Sequence, residues 1–309
     1  MIRVLFSARP DRWDEYEAPL RRAFAAEGLD VDLATSHPPE TVDYIVFAPN
    51  GPVTDFTPYT ACKGVLGLWA GVETVVGNPT LTQPLARMVD TGLTEGMVQW
   101  VAGHVLRHLL NLDADIKGQD GRWTPRLPPL ARERQVGILG LGALGAASGQ
   151  ALAGLGFPVA GWSRREKAVP GITCHHGAEG LSEVLSTSHF LVLLLPQTPA
   201  TENLLDAERI ALLPEGAVIL NPGRGPLIDD AALLAALDSG HLAHATLDVF
   251  RTEPLPPDHP FWAHPKVTVT PHIASETRSD TAAQTIAANI ARSEAGQPLL
   301  HLVDRAAGY

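Results

Sequence analysis

Cysteine is scarce in this 309-residue chain: there are two, Cys62 and Cys174, far apart and outside any C-x-x-C pattern. That excludes a disulfide framework. Long apolar runs are missing as well. The longest, 190-FLVLLL-195, is about a third of a membrane span. The opening 1-MIRVLFSARPDRW-13 has a four-residue apolar run and then arginines, far short of a signal-peptide core. Basic residues are in deficit: 23 Lys and Arg against 34 Asp and Glu leave a net charge of −11. Such a field repels polyanions and argues against nucleic acid or an anionic membrane as partner, while leaving room for a local basic pocket. There is no solenoid-period repeat, no G-x-S-x-G elbow and no P-loop lysine signature. The expectation is a soluble cytoplasmic protein.

What is present is a repeated β-α rhythm in a chain long enough for two domains. Apolar stretches at 2–7, 30–33, 43–48 and 65–69 alternate with polar or helical segments such as 12–27. A helical pattern at 94–111 carries Met97, Val101, Val105 and Leu109 on one stripe. The Gly- and Pro-rich 118-GQDGRWTPRLPPL-130 reads as a connection. From Gln135 the rhythm restarts, with strands at 136–139, 158–162, 190–195, 217–221, 244–249 and 267–270. Helices are expected at 142–155, 202–212, 229–238 and 278–295, before a tail over 301–309. Short, continuously apolar strands are what a parallel sheet covered on both faces requires.

The segment 136-VGILGLGALG-145 places the G-x-G-x-x-G spacing between an apolar strand and an Ala-rich helix. In that context Gly140 permits a tight turn, Gly142 lets the backbone approach a pyrophosphate, and Gly145 lets helix and strand pack closely. Ala143 and Leu144 complete the turn, and the helix N-terminus presents free N–H groups to phosphate. About twenty residues on, where an acidic reader of the NAD ribose is expected, stand Ser163, Arg164 and Arg165. A carboxylate there repels a 2′-phosphate, whereas a hydroxyl and two guanidinium forks attract it. Without a ligand these would be solvated arginines after a strand end. Position and sign both fit NADP(H), with NADH as the weaker cofactor.

Three segments with reactive groups follow: 221-NPGRGPLIDD-230, 248-DVFRTEPL-255 and 270-TPHIAS-275. With them, and with 246-TLDVFRTEPLPPDHPFW-262 and 303-VDRAAGY-309, the chain resembles the D-2-hydroxyacid dehydrogenase family over essentially its whole length. The likeness is strongest to the glyoxylate/hydroxypyruvate reductase A branch. The resemblance implies an Arg, Glu and His catalytic set at Arg224, Glu253 and His272. His272 would be the general acid, Glu253 would favour its imidazolium, and Arg224 would hold the substrate carboxylate. It further implies substrate contacts from the backbone of Ala70 and Gly71 in 69-WAGVET-74, with Glu73 where the family commonly has Asp. Trp262 is a candidate wall of the substrate pocket or a core residue. Cofactor contacts are implied at Leu195, Pro196 and Thr201, at Asn221, Pro222, Gly223 and Asp248, and at His272 and Ser275. The Pro222-Gly223 pair departs from the small residues usual before the arginine.

The resemblance implies two α/β domains, Rossmann-like or flavodoxin-like doubly wound parallel sheets, with a cleft between them. Residues 1–100 with 282–309 would bind substrate and 101–281 would bind NADP. It also implies a homodimer built on the cofactor domain. The implied reaction is NADPH-dependent reduction of a small 2-oxoacid such as glyoxylate or hydroxypyruvate. Two rivals stand beside it: a redox-sensing NAD(P)-binding regulator of the same fold, and an NAD-linked dehydrogenase of a different acid. His104 and His108 lie four apart on one helix face, and His175 and His176 follow Cys174. Neither pair has partners at ligand spacing, so no metal is expected.

Overall fold

A computed structural model describes residues 1–308; Tyr309, the last residue of the closing motif, lies outside the described residues. The chain divides into two compact units: Met1–Leu93 with residues 276–308, and Thr94–Ser275. The sequence reading places these seams near 100 and 282.

The first unit holds β1 (Ile2–Ser7), α1 (Trp13–Ala26), β2 (Val31–Ala34), β3 (Tyr44–Phe47), β4 (Gly64–Gly67), β5 (Leu85–Ala86) and the late helix α8 (Ser279–Glu294). Its sheet is parallel in the order β2-β1-β3-β4-β5, the flavodoxin-like order. The strands are apolar without alternation because helices and loops cover both faces. α1 packs on α8; α1 buries Leu20 and Phe24, and α8 buries Ala282, Ala283, Ile286 and Ile290. β5 has two residues, too few to leave a periodic trace in sequence. Its free edge is covered by the tail, where Leu302 bridges Ala86 in antiparallel fashion and Val303 N–H donates to Leu85 O at 2.8 Å.

The second unit begins within α2 (Thr91–Leu110), which is capped by Asp90, whose Oδ1 accepts from Leu93 N–H at 2.7 Å. Its stripe of Met97, Val101, Val105 and Leu109 packs on Val136, Ile138, Val192 and Leu220, which assigns most of the helix to this unit. Asn111, at φ 53°, breaks the helix before α3 (Leu112–Lys117). Then come β6 (Val136–Leu139), α4 (Ala143–Gly154), β7 (Val159–Ser163), β8 (Thr173–His176), α5 (Gly177–Thr187) and β9 (Phe190–Leu193). After these follow α6 (Ala207–Ile210), β10 (Ala217–Asn221), α7 (Asp230–Ser239), β11 (Leu242–Leu247) and β12 (Val267–Val269). All seven strands are parallel in the order β12-β11-β10-β9-β6-β7-β8. Counted from β6 this is the doubly wound order of dinucleotide-binding sheets, with one further edge strand.

Two expectations are corrected here. The helix expected over 202–212 shrinks to α6, because Asn203 sits at φ 49° and Leu205 pairs in parallel with Ile228 before the Asp206 cap. β8 and α5 occupy a stretch that the sequence reading leaves without elements. Among the described residues no helix is long and apolar enough to cross a membrane.

Candidate active site

The order of the second sheet reverses between β6 and β9, and ligands of such sheets gather at the carboxyl ends of the strands at that point. The glycine turn stands there. Gly140 has φ +109°, and a Cβ on it would lie 2.4 Å from Leu194 O on the neighbouring strand end. A Cβ at Gly145 would lie 1.8 Å from Gly140 O, so the first turn of α4 closes onto the loop only with glycine in place. Gly142 is different: nothing lies within 4 Å of its would-be Cβ, and it caps α4 without a side-chain hydrogen bond. The N–H groups of the first turn, including Ala143 and Leu144, are therefore presented across an open face. These residues fit a dinucleotide pyrophosphate.

β7 ends at Ser163, which is 6% exposed and donates its hydroxyl hydrogen to Arg165 O at 2.7 Å. This bond bends the corner so that Arg164 and Arg165 are exposed. A third cation joins them. Lys167 Nζ donates to Leu141 O at 2.7 Å, which places an ammonium beside the glycine turn. Sequence reading missed Lys167, although a lysine two residues after an arginine pair is a visible signal. Leu195 and Pro196 are half-buried, and Thr201 locks their loop by donating to Pro196 O at 2.7 Å and accepting from Thr198 N–H at 2.8 Å.

The catalytic candidates come from the loops after β10, β11 and β12, which carry Arg224, Glu253 and His272 in turn. Asn221 is buried; its Nδ2 donates to Arg224 O at 2.9 Å and its Oδ1 accepts from Gly223 N–H at 3.1 Å. The side chain thus holds the Pro222–Arg224 turn from inside. Glycine before the arginine has a local reason, since a Cβ at Gly223 would stand 2.7 Å from Leu193 O. One residue on, a Cβ at Gly225 would stand 2.0 Å from the carbonyl carbon of Phe250. That close approach packs the Arg224 turn on the loop that carries Glu253. Arg224 Nη1 donates to Gly223 O at 2.7 Å.

His272 adopts φ 54°, a left-handed conformation uncommon for residues other than glycine. Asp248 holds it there. This carboxylate is 1% exposed, and it accepts from Thr270 Oγ1 at 2.5 Å, Ile273 N–H at 2.9 Å and Ala274 N–H at 2.9 Å. The His272 N–H donates to Asp248 O at 2.9 Å. Asp248, expected near the cofactor, spends its carboxylate on the histidine loop. His272 Nδ1 then lies 2.7 Å from Glu253 Oε2, while Glu253 Oε1 accepts from Phe250 N–H at 2.9 Å. With Nδ1 engaged by Glu253, Nε2 is the other ring nitrogen.

The electrostatics follow from this pairing. The hydrogen bond to Glu253 raises the His272 pKa above its ordinary value; burial opposes this, and the charges of Glu253 and Asp248 add to the rise. Burial pushes the Glu253 carboxyl up, but the bonds from His272 and Phe250 N–H, with the charges of His272 and Arg224, outweigh it and hold the pKa below the usual carboxylate range. Both shifts favour the imidazolium form of His272 and the carboxylate form of Glu253, within the field of the Arg224 guanidinium.

Trp262 is no core residue: it is 52% exposed, with its indole N–H donated to Pro256 O at 3.0 Å. Ser275 lies against α2, where a Cβ on Gly96 would come 3.5 Å from its Oγ. Ala70 and Gly71 belong to the first unit, in the half-buried loop after β4. His104 and His108 face protein groups. His108 Nε2 lies 2.9 Å from Thr246 Oγ1, and His104 Nδ1 lies 3.4 Å from Arg107 Nη1. Among the described residues no group of three or more His, Cys, Asp and Glu could hold a metal. A cavity of about 510 Å³ lined by Gln135, Pro158, Thr173 and Glu183 opens at the amino ends of β6, β7 and β8, away from this chemistry.

The arrangement matches known proteins closely. The family model for the D-isomer specific 2-hydroxyacid dehydrogenase NAD binding domain matches residues 100–274. A glyoxylate/hydroxypyruvate reductase A from Serratia proteamaculans is 41% identical over 255 residues, which cover 80% of this chain and 82% of that one. A D-isomer specific 2-hydroxyacid dehydrogenase from Xanthobacter autotrophicus Py2, solved with NADPH and MES, superposes with a TM-score of 0.91 at 43% identity, covering 100% of this chain and 99% of that chain. An NADPH-dependent glyoxylate/hydroxypyruvate reductase from Sinorhizobium meliloti, solved with NADP and sulfate, gives 0.86 at 36% identity, with coverage of 100% and 99%.

Proposed function

The chain belongs to the D-isomer specific 2-hydroxyacid dehydrogenase family, and from that premise we propose that it reduces small 2-oxoacids, glyoxylate and hydroxypyruvate foremost, to 2-hydroxyacids with NADPH. The observation that carries this reading is the 2.7 Å pair of His272 and Glu253, set in the field of Arg224. The Gly140–Gly145 turn would hold the pyrophosphate, and Arg164, Arg165 and Lys167 would hold a 2′-phosphate. When bound, the nicotinamide supplies a hydride.

The rest of the chemistry falls to side chains of this chain. Arg224 holds the substrate carboxylate and polarises the carbonyl with a charge that persists at any working pH. His272 gives the Nε2 proton to the developing alkoxide. Glu253 keeps the ring oriented and favours its protonated form before transfer. Asp248 and Asn221 fix the two loops from below, so the donors are set before substrate arrives. In the first unit, the N–H groups of Ala70 and Gly71 are assigned to the substrate carboxylate. Trp262, exposed and anchored through its indole N–H, is assigned to the wall of the substrate pocket.

We assign the protein to the cytoplasm and to a homodimer built on the second unit. Support for the dimer comes from the 112–130 segment, which leaves the large apolar side chains of Trp123 and Leu127 92% and 97% exposed. Light scattering at micromolar concentration checks the dimer, and a monomer mass would count against it. The reaction is tested by following NADPH and NADH oxidation with glyoxylate, hydroxypyruvate and pyruvate in turn. Rapid loss of NADPH with the first two, and slower loss of NADH, is the expected result. Tight NADPH binding without turnover on any acid would favour a redox-sensing regulator instead.

A further inference from the structure

The loop after β4 passes through Ala70 and Gly71 and then winds into overlapping turns. Val75 and Val76 N–H donate to Val72 O at 3.0 and 2.9 Å, and Asn78 N–H donates to Val75 O at 2.9 Å. Leu81 N–H then donates to Asn78 O at 3.3 Å, and one side chain gathers the carbonyls at the far end of this winding. Arg305, from the tail, donates Nε to Val76 O at 3.3 Å, Nη2 to Asn78 O at 3.0 Å and Nη1 to Leu81 O. Separate contacts from Nε, Nη1 and Nη2 suit the planar guanidinium, whose N–H groups diverge in a fixed fork, better than the compact ammonium of lysine.

The tail that brings Arg305 is itself fixed to the sheet edge. Arg87 N–H donates to His301 O at 3.1 Å, Val303 N–H donates to Leu85 O at 2.8 Å, and Leu302 bridges Ala86. Arg87 and Met88 continue the strand β5, and Met88 N–H donates to Trp69 O at 2.9 Å, just before Ala70. The loop is therefore held at its start by the continuation of β5 and at its far end by Arg305. Both anchors run through the same strand and tail. Because Arg305 and part of its contacts are exposed, water can replace the lost hydrogen bonds. Removing the side chain then disturbs the position of the loop more than the stability of the unit.

We infer that Arg305 is a positioning residue for the substrate: it holds the loop whose Ala70 and Gly71 N–H groups receive the carboxylate of the 2-oxoacid. This inference rests on the substrate reading proposed above. Arg305 touches neither reacting atoms nor cofactor, so its effect belongs in substrate affinity and not in hydride transfer or nucleotide binding.

The test uses the full-length enzyme, with Arg305→Ala and Arg305→Lys beside the unsubstituted protein. Steady-state rates with glyoxylate, NADPH affinity by fluorescence and thermal midpoints are measured for each. Arg305→Ala should raise the KM for glyoxylate by about tenfold or more, since small misplacements of positioning groups are costly, with kcat within about threefold. NADPH affinity should stay unchanged, and Arg305→Lys should fall between the two. An unchanged KM in Arg305→Ala overturns the inference. So does a parallel loss of kcat, substrate affinity and NADPH affinity. If Arg305→Ala does not fold, Arg305→Lys decides alone: a raised KM supports the role and an unchanged one overturns it. No turnover of any 2-oxoacid by the unsubstituted enzyme would sink the substrate reading and the inference together, whereas normal turnover with unaffected variants would sink only the role of Arg305.

Discussion

Replacing Arg164 and Arg165 together by alanine should remove most of the preference for NADPH over NADH. The magnitude depends on exposure. A hydrogen bond to a charged group contributes about 1.5–3 kcal/mol, and an exposed ion pair only about 0.2–1 kcal/mol. Both guanidinium groups are exposed at the Ser163 corner, so about 1 kcal/mol each is a fair value against a doubly charged phosphate. The pair then amounts to about 2 kcal/mol, or about 30-fold in NADPH affinity. Lys167→Ala, added as a third change, should deepen the loss by about fivefold at a similar energy. NADH lacks the 2′-phosphate and should move by about twofold or less. The assay is the initial rate at saturating glyoxylate across a range of each nucleotide, repeated at low and high salt. Screening shortens from about 10 Å at 0.1 M salt to about 3 Å at 1 M, so the unsubstituted enzyme should lose NADPH affinity with salt and the variant much less. Equal losses for NADPH and NADH, or a KM for NADPH that ignores both substitution and salt, would refute the phosphate assignment.

Two further outcomes concern protons. Glu253→Gln should move the alkaline limb of the reductive pH profile to lower pH, because the hydrogen bond that His272 donates to Glu253 is the largest cause of the raised His272 pKa. The general acid works protonated, so activity falls as pH rises through that pKa, and an unchanged limb would assign it to another group. The half-buried histidines His108, on α2, and His244, on β11, make the opposite case. Burial, together with mutual repulsion and the charge of Arg107, lowers His108 to about 3, and burial with Arg107 lowers His244 to about 4. Their rings stand 4.8 Å apart. Unfolded histidines bind protons near pH 6.5 and the folded pair does not, so stability is full above that value and is lost as pH falls towards 4. At pH 5 the loss is roughly 2 kcal/mol per histidine. Urea midpoints between pH 7 and 5 read this directly, and His108→Gln with His244→Gln should flatten the slope. An equally steep slope in the double variant would place the proton uptake elsewhere.

Legibility in the sequence followed the physical origin of each signal. The central strands β6, β9 and β10 are buried on both faces and stand out as unbroken apolar runs. β8, an edge strand reading TCHH with no buried residue, has no such signature. α5 does bury Leu181, Val184 and Leu185 at helical spacing, but Gly177 and Gly180 weaken the pattern at its start. The glycine turn was legible because Gly140 and Gly145 each answer a local collision, while Gly142 leaves the start of α4 open. The histidine, glutamate and arginine were nameable by resemblance, yet their support was not. That Asp248 ties down the His272 loop, or that Lys167 reaches Leu141, depends on chain segments meeting across 25 or 26 residues, which no local periodicity records.

The most direct test of the catalytic centre is single-turnover oxidation of NADPH by His272→Ala in the presence of glyoxylate, with nucleotide affinity measured on the same sample. A loss of about 10²-fold or more in the rate, with NADPH still bound as tightly as before, is the expected result. A near-normal rate would contradict it and remove His272 as the proton donor.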